Sequence, residues 1–171
     1  MNTTLINILI GYNAWRNEHL LATAMGISAT ELYAATRFPS GSLGATFVHA
    51  MGAERIWTER MLGGPTLPFP KPADYQDLDA IRSGWKPIAD ALRDFALGCS
   101  EADLARVFSF RRLNGDQYTG MVAECILQVI NHGTQHGAEI AQMLTEIGRS
   151  PGEIDLLRYI RARDARIAGG R

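Results

Sequence analysis

The sequence predicts an all-α protein: a four-helix bundle with long connections, a short β-hairpin between the third and fourth helices, and a peripheral C-terminal helix. Apolar residues recur at helical spacing in four long stretches. Glycine and proline clusters end these stretches, and Asn114-Gly115 between β-rich flanks predicts a two-residue hairpin turn. The 171 residues suffice for one hydrophobic core, so we expect a single domain over 1–171.

The first two helices are marked by their apolar residues and by the breaks after them. The first is predicted over about 3–25, with an apolar stripe of Leu5, Ile8, Leu9, Tyr12, Trp15 and Leu20. Either Ser40 or Ser42 can cap the second helix, because a serine hydroxyl accepts backbone N–H bonds at a helix start. This second helix should run to about residue 62 and end at Gly63-Gly64-Pro65.

The later helices follow a proline-rich loop. A third helix is predicted over about 75–98, with Pro87 expected to start or kink a turn inside it. The fourth should span about 119–147, since Gly148 can cap it and Pro151 lies just beyond. A charged helix over about 152–168 is expected to be peripheral. The long connections mean that a simple up-down-up-down order is not required.

Composition and charge exclude several classes of partner. The formal net charge is −1, so there is no field to recruit nucleic acid or an anionic membrane, and no apolar run is long enough to span a membrane. Cys99 and Cys125 are too few for a disulfide framework, and the N-terminus does not look like a signal peptide. We therefore expect a reduced, cytoplasmic protein with no nucleic-acid or membrane partner.

Two histidines lie four residues apart in the stretch INHGTQHGAEIAQML, on the apolar stripe of the fourth helix. His132 and His136 should project side by side. Buried imidazoles need partners for both ring nitrogens, and a divalent metal satisfies one nitrogen of each ring. His49, on the apolar second helix, could add a third ligand, because bundle metal sites are built from facing helices. Three ligands leave an open, catalytic type of site; histidines held only by hydrogen bonds are the alternative.

A glycine follows each histidine of this pair. Gly133 and Gly137 each cost about 1 kcal/mol relative to alanine inside a helix. They either leave room for a molecule to approach the histidines or let another helix pack closely. Gly133 also stands where zinc peptidases of the H-E-x-x-H type carry their catalytic glutamate, which argues against a peptidase.

Other reactive side chains near these helices have ordinary structural explanations. Cys125 lies near the histidine face but is expected to be an inert buried thiol, because a ligand or nucleophile would have to be a thiolate. His19 could border the pocket and is expected to be partly exposed. Trp15 and Trp57 are expected to anchor the core. Arg60 could hold an anion but is expected to be a surface charge.

Three segments, in order and at suitable separations, carry a resemblance to a known family. They are YNAWRNEHLL, SGSLGATFVHAMGAERIWTERMLG and INHGTQHGAEIAQMLTEIGRSPGEIDLLRYI. Together they resemble the DinB-like (DNA-damage-inducible) proteins, which share a fold with bacterial thiol-dependent S-transferases, and the resemblance covers nearly the whole chain. It implies a four-helix bundle with an unusual connection order, a homodimer, and a divalent metal, zinc or nickel, held by His49, His132 and His136.

Two positions depart from the family pattern. After the second histidine of the pair the family often carries an arginine, with a glutamine three residues after that histidine; here these are Gly137 and Glu139. Loss of the arginine weakens the case for an anionic substrate at that point. Glu139 could be an acceptor behind a ligand, an extra ligand or a general base; a surface carboxylate on the flank of the helix is the preferred interpretation.

The resemblance implies a metal-dependent enzyme acting on a small-molecule substrate. Characterised relatives add a low-molecular-weight thiol to an electrophile, or isomerise a substrate through such an adduct. The metal would bind the thiol sulfur and lower its pKa, so that the cosubstrate supplies the nucleophile. We therefore expect a thiol S-transferase; a metal-dependent hydrolase and a non-catalytic, metal-binding stress-response dimer are the alternatives.

Overall fold

Four long helices form the bundle, and shorter elements connect or flank them. The computed structural model describes residues 2–65, 67–112 and 114–169. Its elements, in chain order, are α1 (Thr3–Thr23), α2 (Ala29–Leu32), α3 (Leu43–Leu62), a 3-10 turn (Pro72–Asp74), α4 (Leu78–Gly98), α5 (Glu101–Ala105), β1 (Val107–Arg111), β2 (Gln117–Met121), α6 (Val122–Glu146) and α7 (Leu156–Gly169). The all-α class, with one hairpin before the last long helix, is confirmed.

Short polar residues set the starts of the long helices. Ser42 caps α3, because its hydroxyl accepts the N–H of Ala45 at 3.1 Å. Asp77 caps α4 in the same way through the N–H of Ala80 at 2.8 Å. Helix α3 ends at Gly63, whose φ of 75° lies in the left-handed region that glycine adopts without strain. The sequence had left the choice between Ser40 and Ser42 open.

Several element boundaries differ from the prediction. Helix α6 begins at Val122 rather than near 119, because residues 117–121 pair in β2. Helix α4 runs continuously past Pro87, so no new turn starts there; a proline removes one helical hydrogen bond, and packing holds the rest of the helix. Helices α2 and α5 were not predicted, because elements of four and five residues carry too little periodicity to be recognised.

The hairpin forms, but its turn is longer than the predicted two residues. Strand pairing ends at residues 111 and 117, and the N–H of Arg112 donates to the carbonyl of Asp116 at 2.8 Å. Gly115 has a φ of 91°, in the left-handed region that glycine adopts without strain. The predicted two-residue turn was therefore wrong, although glycine does provide the required backbone conformation.

The long helices are not arranged in an up-down-up-down order. Helices α3 and α1 each pack against both α4 and α6, so α1 and α3 face each other across the bundle. The apolar core forms two clusters. One contains the N-terminal halves of α3 and α4 with the C-terminal halves of α1 and α6, and the other contains the opposite halves. Helices α3 and α4 are therefore parallel, and the end of α3 lies at the opposite end of the bundle from the start of α4.

The buried face of α1 differs from the predicted stripe. Leu5 is 50% exposed, and Ile8, Leu9 and Trp15 are only partly buried. The residues that point inward are Ile6, Ile10, Tyr12, Asn13, Arg16, Asn17, Leu20 and Leu21. Polar residues occupy the middle of this buried face. A stripe chosen by hydrophobicity alone therefore lay on a different side of the helix from the buried face.

Trp15 and Trp57 are not the deep core anchors that the sequence predicted. Trp15 is partly buried and stacks on His19, with ring centroids 5.4 Å apart. Trp57 is partly buried and packs at the edge of one apolar cluster. The deeply buried tryptophan is Trp85 on α4, which is 3% exposed. Its indole N–H has a buried partner, as described below.

Helix α7 lies on the outside of the bundle against α1, as predicted. None of its described residues is buried. The segment before it is held by the hydroxyl of Tyr12, which donates to the carbonyl of Ile154 at 3.1 Å, and by a 2.8 Å contact between His19 Nε2 and the carbonyl of Pro151. Neither α7 nor any other helix in the described part of the chain has the length and apolarity to cross a membrane.

Candidate metal centre

Three histidines from two neighbouring helices meet between the two apolar clusters. His49 lies on α3, while His132 and His136 lie one turn apart on α6. The Nε2 atoms of His49 and His136 are each 3.2 Å from Nε2 of His132. Within the described residues, these three form a group whose ligand atoms all lie within 4.8 Å of one another. The structure thus brings together the three histidines that the sequence singled out.

The spacing of these nitrogens fits a shared divalent ion. Two nitrogens bound to one zinc at about 2.0–2.1 Å in tetrahedral geometry lie about 3.3 Å apart, and the observed separations are 3.2 Å. Hydrogen bonds explain the cluster less well. The Nε2 atom of His132 faces two other ring nitrogens, but a neutral Nε2 carries at most one proton and can donate to only one of them. Three imidazoles suit zinc, nickel, copper and iron alike.

Glu139 lies behind one of the three histidines. Its Oε2 is 2.7 Å from Nδ1 of His136, and its side chain is 18% exposed. A carboxylate here accepts the Nδ1 proton and leaves Nε2 of His136 with a lone pair directed at the other histidines. Of the interpretations considered for Glu139, the geometry fits the one in which its carboxylate accepts a hydrogen bond from a metal-binding histidine, here His136. The preferred one, an exposed carboxylate on the flank of the helix, was wrong.

Burial keeps two of the three imidazoles neutral. Burial lowers the pKa of His132 to about 4, and the neighbouring His136 and His49 act in the same direction. Burial also lowers the pKa of His49, which His136 lowers further and Glu139 partly restores. At neutral pH these rings are therefore in the unprotonated form that binds metal ions.

The proline-rich loop after α3 packs against His49. The ring of Phe69 lies 5.2 Å from that of His49, centroid to centroid. Gly52, almost one turn after His49, makes room for this loop, because a Cβ there would lie 2.7 Å from Phe69. Arg55 donates a hydrogen bond to the carbonyl of Pro68 and ties the loop to α3. Sequence reasoning missed Phe69, because helical periodicity does not reveal how a loop folds back on a helix.

A buried carboxylate lies on α3 beyond the histidines. Glu54 is 2% exposed. Its Oε1 accepts the side-chain amides of Asn13 and Asn17 at 2.6 and 2.7 Å, and its Oε2 accepts the indole N–H of Trp85 at 2.7 Å. Burial raises the pKa of Glu54, whereas these hydrogen bonds and the nearby Arg16 lower it. This group of polar residues links α1, α3 and α4 in the middle of the bundle.

A buried arginine extends the same group to α6. Arg16 is fully buried, and its Nη2 donates to the side-chain oxygens of Asn13 and Asn17 at 2.6 and 2.9 Å. Its Nη1 donates to the hydroxyl of Thr134 on α6 at 3.2 Å. Sequence reasoning missed Arg16 and Glu54. Ile6, Ile10, Asn13, Asn17 and Leu20 form one face of α1 with polar residues at its centre, a signal that could have pointed to buried polar residues in α1 but not to Glu54 on α3.

Close packing explains the two glycines that follow the histidine pair. A Cβ on Gly133 would overlap Nη2 of Arg16 and lie 2.8 Å from Oδ1 of Asn13. A Cβ on Gly137 would lie 2.8 Å from Cδ of Arg16. Of the two explanations that the sequence left open, the structure supports the close approach of another helix, here α1 with its buried arginine.

The remaining candidates lie outside the histidine cluster. Cys125 is buried among apolar residues, and burial raises the pKa of its thiol, as expected for an inert cysteine. Arg60 is not a free surface charge: its guanidinium lies 4.8 Å from the ring of Trp57 and 5.0 Å from that of Phe110. His19 is partly buried against the segment before α7.

Comparison with known protein families gives a match over nearly the whole chain. The model of the DinB family matches residues 1–167, which include the three histidines, Glu139 and all the long helices. A comparison with curated proteins gives no match. Since the family model covers nearly the whole chain, the protein belongs to the DinB family.

Proposed function

We propose that this protein binds a divalent ion, zinc or nickel, and that it is a metal-dependent enzyme which transfers a low-molecular-weight thiol to a small electrophile. The observation that carries the proposal is the convergence of three Nε2 atoms, from His49, His132 and His136, at separations suited to one ion. Three protein ligands leave a coordination position for a cosubstrate. The resemblance of the chain to DinB-like proteins, which share a fold with thiol-dependent S-transferases, supplies the reaction class.

The chain itself contributes orientation and protonation state. A divalent ion held there would lower the pKa of a coordinated thiol and so favour the thiolate at neutral pH. Glu139 fixes His136 in the tautomer whose Nε2 can act as a ligand. His132 and His49 have lowered pKa values, so protons compete weakly with metal at neutral pH. Phe69 provides an apolar wall beside His49.

The position of Glu139 favours a transferase over a hydrolase. A hydrolase of the metallopeptidase type uses a carboxylate base to accept a proton from metal-bound water, whereas a transferase of this type receives its nucleophile from the thiol. Glu139 already accepts a hydrogen bond from His136, and no carboxylate among the described residues joins the ligand group. The available groups therefore fit a reaction in which the cosubstrate brings the nucleophile.

Turnover by metal-loaded protein tests the proposal. Protein loaded with zinc or nickel is incubated with a panel of small thiols and an electrophile such as monobromobimane, and adduct formation is followed by fluorescence. We expect adduct formation to require metal, and His49→Ala to lose both metal and activity. His19→Ala removes a histidine outside the cluster and should retain both. Equal rates with and without metal would contradict the proposal, and ester hydrolysis without any thiol would favour the hydrolase.

We also propose that the protein acts as a homodimer, which the resemblance implies. Size-exclusion chromatography with light scattering should give twice the mass of the chain, and a monomer at all concentrations would contradict this. A metal-bound dimer that turns over no thiol would support the alternative, a non-catalytic metal-binding protein of a stress response.

A further inference from the structure

We infer that the buried polar residues beside the histidines position the metal ligands by fixing the spacing of α3 and α6. The inference rests on the proposed metal site. We call these residues the Arg16–Glu54 network; its members are Asn13, Arg16, Asn17, Glu54 and Trp85. They act through the backbones that carry the histidines, and they set the affinity and the coordination geometry of the bound ion.

On the α6 side, the network touches both turns that carry a ligand. Arg16 lies against Gly133 and Gly137, each of which directly follows a histidine. It also donates to Thr134, two residues after His132. Because glycine has no side chain, Arg16 is in contact with the α6 backbone itself. The position of Arg16 therefore limits how closely α1 approaches the backbone from which the two imidazoles project.

On the α3 side, the network ends at Glu54, five residues after His49. The side chains of Asn13 and Asn17 each accept from Arg16 and donate to Glu54. Hydrogen bonds thus run without a gap from Thr134 on α6, through α1, to α3. Helices α3 and α6 also pack directly on each other, whereas α1 faces α3 across the bundle, so the network adds a second connection between α3 and α6 by way of α1.

The composition of the network argues for positioning rather than for stability. Apolar side chains of similar volume often stabilise a core as well as a buried ion pair does, because both charges must lose their hydration. Nε of Arg16 is buried without a hydrogen-bond partner among the described residues. The charged layer also lies between two apolar clusters, at the level of the histidines. Burying Arg16 and Glu54 is energetically unfavourable, and their retention fits a requirement for one defined arrangement of the helices.

Cobalt binding to matched variants tests this inference. Arg16→Met and Glu54→Gln are combined in one chain, so that no buried charge is left unpaired and the volume is nearly kept. Co²⁺ titration gives the Kd and the visible spectrum, which reports coordination geometry, and urea unfolding of the metal-free protein gives stability. We expect the double variant to be folded, to bind Co²⁺ about tenfold more weakly, and to show an altered spectrum. Leu104→Ala, a cavity variant in α5, should lose stability but keep the wild-type Kd and spectrum.

The outcomes separate the inference from the proposed function. A double variant with the wild-type Kd and spectrum would overturn the positioning role while leaving the metal site intact, and so would a spectral change in Leu104→Ala. Wild-type protein that binds no Co²⁺ would refute the metal site and the inference with it. If the double variant does not fold, Trp85→Phe removes one donor to Glu54 from α4. It should weaken Co²⁺ binding about threefold through this one hydrogen bond, and an unchanged Kd would overturn the inference.

Discussion

Among single side chains, Glu139 has the most direct influence on the histidine cluster. Its Oε2 accepts a hydrogen bond from Nδ1 of His136, and these two atoms lie 2.7 Å apart. Glu139→Gln keeps the size of the side chain but replaces a charged acceptor by a weaker neutral one. We expect the zinc affinity to fall about 10- to 100-fold, measured by competition with a chromophoric chelator. Glu146→Gln, at the exposed end of α6, is the matched control and should bind like wild type; equal affinities in the two variants would exclude this role for Glu139.

His132 should make the metal-free protein sensitive to acid. Its pKa is about 4 in the folded chain against an ordinary value of 6.5. Between these values the unfolded chain binds a proton there that the folded chain does not. The free energy of unfolding should therefore fall as the pH decreases from 6.5 towards 4, by at most about 1.4 kcal/mol per pH unit from this residue.

Urea unfolding across this pH range, in the presence of a chelator, checks the expected acid sensitivity. His132→Gln removes the titrating ring and is the comparison. The wild-type protein should lose stability relative to the variant as the pH falls, because the contributions of groups that titrate in both proteins largely cancel. Parallel profiles for the two proteins would show that His132 is not perturbed in this way.

At the level of secondary-structure elements, the contact between α1 and α6 reverses the usual effect of a glycine substitution. Alanine normally stabilises a helix interior by about 1 kcal/mol relative to glycine. At Gly133 the added methyl group would overlap the fully buried Arg16. We expect Gly133→Ala to lower the free energy of unfolding by about 1–3 kcal/mol, as overpacking does.

A second glycine provides the control for this substitution. Gly98 ends α4, and a Cβ there would meet no described atom within 4 Å. Gly98→Ala should therefore be neutral or slightly stabilising when both variants are unfolded in urea. A Gly133→Ala protein at least as stable as wild type would show that α1 and α6 do not pack as closely as described.

The long helices differ in how far the sequence could predict them. Helix α6 was predicted well, because Cys125, Val129 and Ile140 repeat at helical spacing and are buried. The face of α1 was predicted wrongly, because Asn13, Arg16 and Asn17 are buried there, and hydrophobicity assigns such residues to solvent. Their burial depends on partners in other helices, and such pairings leave no periodic signal in the sequence.

The site shows the same division. The three histidines could be named from their spacing and from their place on apolar helices. The bond between Glu139 and His136 was one of several possibilities, since it depends on side-chain rotamers that the sequence does not show. Phe69 was missed because its contact with His49 is made by a loop folding back along α3. Side-chain rotamers and contacts between elements were the part that required the structure.

At the scale of the whole molecule, a bound ion would cross-link two helices and so stabilise the fold. His49 lies on α3 and the other two histidines on α6, so the unfolded chain does not preserve the site. Stability should rise by about 1.4 kcal/mol for each tenfold increase in free metal above the Kd. Thermal unfolding in zinc buffers measures this dependence, and His49→Ala should remove it. The same dependence in wild type and variant would mean that metal binds elsewhere.

The central claim, that the three histidines hold one metal ion, is tested most directly by elemental analysis. Wild type, His49→Ala and His19→Ala are purified in parallel without chelator or added metal, and the metal per chain is measured. We expect about one equivalent of a divalent transition metal in wild type and in His19→Ala. We expect almost none in His49→Ala. Wild-type protein without stoichiometric metal, or a His49→Ala variant that retains it, would show that the three histidines do not hold a metal ion.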